Sequence, residues 1–68
     1  MTVGAQVRQT VAALKGSRAT LRLYAEHSRH EETRSAYRQA FDIVSAVLSD
    51  LEKRLQEIEH EEPQYKGN

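Results

Sequence analysis

Sixty-eight residues hold ten basic and ten acidic side chains, three histidines and no cysteine, for a net charge of zero. A chain of this length is one domain at most, below the ~70–80 residues at which a single core stabilises by more than a few kcal/mol. It has no disulfide or thiolate metal site to compensate, and a pI near 6.8 gives nucleic acid no electrostatic reason to bind.

The chain begins without a basic stretch leading into an apolar run. No window approaches the ~18 consecutive apolar residues of a spanning helix, so a soluble, intracellular protein is expected. Val3, Val7, Val11, Leu14, Leu21 and Ala25 then recur in steps of three, four and seven, with Arg18 as the one interruption. That spacing marks one face of a helix over about 3–27, with Thr2 as its N-cap. A second stripe of the same helix is made of small residues, Ala5, Ala12, Gly16 and Ala19, and ends in Leu23. A glycine inside a helix costs about 1 kcal/mol relative to alanine. Gly16 therefore allows three readings: close approach of another helix, a tolerated glycine, or a break at 15–17 that makes three helices.

Residues 26–35 contain nothing large and apolar, and the helical phase changes across them. At ~100° per residue Leu21 and Val44 lie roughly 140° apart, so one straight helix cannot bury both stripes against one partner. Ser28-Arg29-His30-Glu31 has the form of a capping box with Glu32 behind it, which places a tight turn near His27–Ser28. A second helix is expected over about 29–62. Its apolar seam is Tyr37, Phe41, Val44, Leu48, Leu51, Leu55 and Ile58, an unbroken alternation of steps of four and three of coiled-coil type. Ala36, Ala40, Ile43 and Val47 widen that seam in its first half. Pro63 should end the helix and leave 63–68 as an irregular tail.

The fold expected is all-α: an antiparallel two-helix hairpin in residues 1–62, with its longer acidic helix overhanging the start of the first. Two helices cannot enclose the widened stripe, so the simplest completion is a homodimeric four-helix bundle. The seams of both helices (Val7, Val11, Leu14 and Leu21; Tyr37, Phe41, Val44, Leu48, Leu51, Leu55 and Ile58) would form its core.

The zero net charge conceals a division. Residues 1–30 carry five basic side chains and one acidic, for +4; residues 31–68 carry five and nine, for −4. In the first helix Arg8, Lys15, Arg22 and Arg29 are spaced by sevens beside the seam. Such a ridge suits an anionic membrane surface or an acidic partner. It suits equally the acids of its own second helix, with Arg8 near Asp50 and Glu52, and Lys15 near Asp42. The second reading is preferred, and no aromatic side chains are interleaved with the ridge for base stacking.

Chemistry has little support. Glu57-x-x-His60 has the spacing of a di-metal bundle motif but lacks the additional inward glutamates. His27, His30, Glu26 and Glu31 cluster at the turn, where exposed side chains are usually solvated. No serine has a histidine in a suggestive position, and no glycine-rich phosphate loop is present. No catalytic residue, cofactor, metal or small-molecule substrate is expected. Tyr24 and Tyr37 read as boundary residues, ring packed and hydroxyl wet.

Both ends of the chain carry more individual patterns. Met1-Thr2-Val3-Gly4-Ala5-Gln6-Val7-Arg8-Gln9-Thr10, then Leu14-Lys15-Gly16 with Ala19-Thr20-Leu21, and finally Glu61-Glu62-Pro63-Gln64-Tyr65-Lys66-Gly67 resemble domain-of-unknown-function family 1657. This is a group of short proteins from endospore-forming bacteria, and the resemblance extends over essentially the whole chain. It implies a setting near stage V sporulation genes and a membrane protein encoded nearby as a partner, the chain being peripheral to a membrane at most. It brings no activity or catalytic residue. It also gives Tyr65 a role, docking back on the bundle or on a partner.

Overall fold

A computed structural model describes residues 2–61 of the chain, and they form two helices, α1 (Val3–His27) and α2 (Glu31–Glu61). Both stop and start signals are local. Thr2 lies in extended backbone ahead of α1, and its Oγ1 accepts from the Ala5 N–H at 3.2 Å. Its carbonyl accepts from the Gln6 N–H as the first bond of the helical ladder, so the hydroxyl satisfies one of the donors that a helix start leaves open. α1 runs unbroken through Gly16, and the three-helix alternative is therefore set aside.

The turn is built differently from the capping box expected at Ser28. Ser28 closes α1: its N–H donates to the Tyr24 carbonyl at 3.0 Å, and its Oγ donates to the same oxygen at 2.6 Å. Its hydroxyl is thus spent backward on the helix before it. The Arg34 N–H donates to the His30 carbonyl, which makes His30 the first acceptor of α2, and regular helix begins at Glu31 rather than 29. Glu31 and Glu32 occupy the first turn of α2, where the helix dipole favours negative charge, and His27 lies in the last turn of α1.

The two helices pack against each other as an antiparallel hairpin about 48 Å long. The radius of gyration is 15.1 Å, against the roughly 11 Å of a globule of equal length. This is a single layer of two rods, and its interior is correspondingly thin. Of the eleven seam residues, Val11 and Leu48 are buried, Leu48 completely. The other nine are half-buried. Gly4, one heptad before Val11, and Ala5 are buried at the start of α1. Tyr24 and Tyr37 meet across the hairpin near the turn with ring centroids 5.1 Å apart and planes tilted by 52°. Tilted pairs of this kind place the edge of one ring toward the face of the other and add about 0.5–1.5 kcal/mol beyond area burial.

Candidate interaction surface

The two long sides of the hairpin differ in chemistry. Ion pairs identify one of them. Arg8 Nη1 pairs with Glu59, and Lys15 Nζ lies 3.2 Å from Glu52. Both partners sit farther from the turn than expected, Glu59 seven residues beyond Glu52 for Arg8 and Glu52 ten residues beyond Asp42 for Lys15. The cause is the lean of helical side chains toward their own N-termini. From α1 they lean away from the turn, and from α2 they lean toward it. A contact therefore joins a given α1 residue to an α2 residue farther along. The Arg8 pair thus brings Glu59, near the acidic end of α2, beside the first turns of α1, and α2 is the longer helix, with 31 residues against 25.

The rest of the basic ridge is more exposed. Arg22 is 4.0 Å from Glu26 on its own helix, and Arg29 stands exposed in the turn. Half of the ridge is thus engaged by α2, which removes much of its value as a membrane-binding surface. Exposed pairs of this kind stabilise by about 0–1 kcal/mol and mainly select register. The same side holds a recess of about 400 Å³ lined by Arg22, Ala25, Glu26, Arg38, Phe41 and Asp42. Its charges balance, and among the described residues no polar or charged side chain is buried to orient a substrate.

Among the described residues, the opposite side has no ion pair between the helices, and its turn half on α2 is apolar. At ~100° per residue, Ala36, Ala40, Ile43 and Val47 lie on the shoulder of α2 turned away from the ion pairs. Val3, Leu14 and Leu21 lie on the matching shoulder of α1. Ile43 is 66 % exposed, Val47 44 % and Val3 47 %. Leu23, also exposed, belongs to the outer side of α1 with the small-residue stripe. A methyl group built on Gly16 would meet nothing within 4 Å, so the hairpin itself does not need a glycine there.

One functional residue escaped the sequence reading. Arg34 donates from Nη1 to the carbonyls of Ser28 at 2.9 Å and Arg29 at 3.1 Å, and from Nη2 to Glu31 at 2.6 Å. It ties the turn to the first coil of α2. Glu31 also accepts from Arg38 at 2.9 Å. Hydrogen bonds from Arg34 and Arg38, with their positive charge, hold the Glu31 carboxyl below the ordinary glutamate range. The Glu31-x-x-Arg34 spacing was available as a signal, but it predicts only a surface pair, not the reach back to the turn carbonyls.

Among the described residues no three His, Cys, Asp or Glu side chains come together as a metal site. Neither the turn cluster of Glu26, His27, His30 and Glu31 nor Glu57 with His60 forms one. No helix of the described residues is long and apolar enough to cross a membrane. Tyr65 lies outside the described residues.

The family model described as protein of unknown function (DUF1657) matches residues 7–55. The match takes in residues 7–10 of the first pattern and Leu14-Lys15-Gly16 with Ala19-Thr20-Leu21, whereas Glu-Pro-Gln-Tyr-Lys-Gly lies outside it. No curated protein and no solved structure matches the chain.

Proposed function

The chain belongs to the DUF1657 family of proteins of unknown function, and from that membership we propose that it is a non-enzymatic protein-interaction module acting as a homodimeric four-helix bundle. One observation carries the reading. The hairpin leaves Ile43 and Val47 open to water on a side that, among the described residues, no ion pair between the helices crosses, while its other side is closed by Arg8–Glu59 and Lys15–Glu52. Exposed apolar side chains grouped on one face mark a contact surface. A second copy supplies the neighbour that the thin interior lacks, and seam residues now half-buried become a shared core. The setting we propose, on the family resemblance, is the sporulating cell, with a membrane protein as a further partner.

Sedimentation equilibrium tests the dimer. The expected mass is twice 7.8 kDa, and the double substitution Ile43→Glu, Val47→Glu should return it to the monomer value. A stable, folded monomer of the unaltered chain would sink the proposal.

A further inference from the structure

The apolar side of the hairpin also determines how a second copy can lie on it. This inference rests on the self-association just proposed. A two-fold axis along the hairpin sets turn beside turn, so each α2 residue faces its own counterpart. An axis across the hairpin sets the turn of one copy beside the open end of the other.

The residues along the exposed shoulder of α2 discriminate between them. Its turn half is apolar, with Ala36, Ala40 and Ile43; its open half carries Asp50 and Arg54, paired at 2.9 Å. Turn beside turn brings Arg54 to Arg54 and leaves Ala36 and Ala40 facing each other across a gap. With the axis crossing α2 at Val47, Ile43 instead faces Leu51 of the second copy, four residues to either side. Ala40 faces Arg54, one heptad to either side, and the small side chain leaves room for the arginine stem. Ala36 faces Ile58, eleven residues to either side. Beyond the Ile43–Leu51 contact, small meets large at Ala40–Arg54 and Ala36–Ile58, as dense packing requires. Val47 is also near the middle of α2, so the two hairpins overlap along their full length.

Charge agrees. In the turn half, residues 16–46, five basic side chains stand against four acidic; in the rest of the described chain, four stand against five. Crossing the hairpins sets these unlike halves side by side. The area is sufficient too. The chain exposes 5064 Å², about 700 Å² more than a compact monomer of its mass, against the ~800 Å² each partner contributes to a standard interface. We infer that the second copy lies antiparallel on this side, with the two-fold axis crossing α2 at Val47.

The chain has no cysteine, so Glu32→Cys gives one nitroxide label per copy near the turn. Glu32 is fifteen residues from Val47, which places the two labels about 45 Å apart in the antiparallel dimer. Double electron–electron resonance should read that distance, with sedimentation showing a dimer. A dimer with a distance under about 25 Å overturns this inference and leaves self-association standing. A monomer by sedimentation overturns both.

Discussion

Leu48 is completely shielded from water inside the hairpin, and Val11 is its nearest equivalent on α1 at 7 % exposure. A small protein with so narrow an interior depends on each such side chain. Leu48→Ala removes the transfer free energy of three carbons and leaves a cavity that two rigid helices close only in part. The expected loss is about 2–5 kcal/mol, out of a total stability that rarely exceeds about 5–15 kcal/mol in domains of any size. Thermal melts followed by circular dichroism should show the variant largely unfolded near room temperature at low concentration. Retention of the parent melting temperature would show that Leu48 is not the centre of the packing. Ile43, of similar size but 66 % exposed, adds little to packing within one hairpin, so Ile43→Ala should barely alter that term.

α1 carries its glycine on an open side. Gly16 lies mid-helix, and an added Cβ there touches nothing. Gly16→Ala should gain up to about 1 kcal/mol of helix propensity, which for a chain this short raises the melting temperature by roughly 4–8 °C. A fall instead would reveal a helix in close backbone contact with the small-residue stripe. The helices themselves were legible in the sequence because their signals are local and repeated. The bounds of α1 and its Thr2 cap follow from spacing and a single hydroxyl, and the phase change between Leu21 and Val44 requires two helices. The details that were not legible depend on where long side chains end. Ser28 satisfies either rule, cap of α2 or close of α1, and only the three-dimensional path of the turn decides between them. The displacement of the Arg8 and Lys15 partners away from the turn follows the side-chain lean, which spacing alone does not encode. Arg34 reaches carbonyls five and six residues back, beyond any pairwise helical rule.

At the scale of the molecule, the hairpin is a choice the chain makes against a straight rod. Ser28, Arg29 and His30, which connect the helices, include no glycine or proline, so nothing in their backbone forbids helix. The bend is held by the extended Ser28 and by Arg34 gripping two turn carbonyls. The Ser28 hydroxyl repeats the backward bond that Thr10 and Thr20 make inside α1, whereas the Arg34 bonds stay within one copy and have no counterpart in a continuous helix. Without them, α1 of one chain can lie on α2 of another and recover every interhelical contact, including Arg8–Glu59 and Lys15–Glu52. Arg34→Ala should therefore shift the population toward arm-exchanged rods of about 90 Å, measurable as a larger maximum dimension in small-angle X-ray scattering, while helix content stays constant. An unchanged dimension of about 50 Å would mean that Ser28 alone suffices. The guanidinium at the turn thus guards against entanglement: it makes each chain the preferred owner of its own two arms.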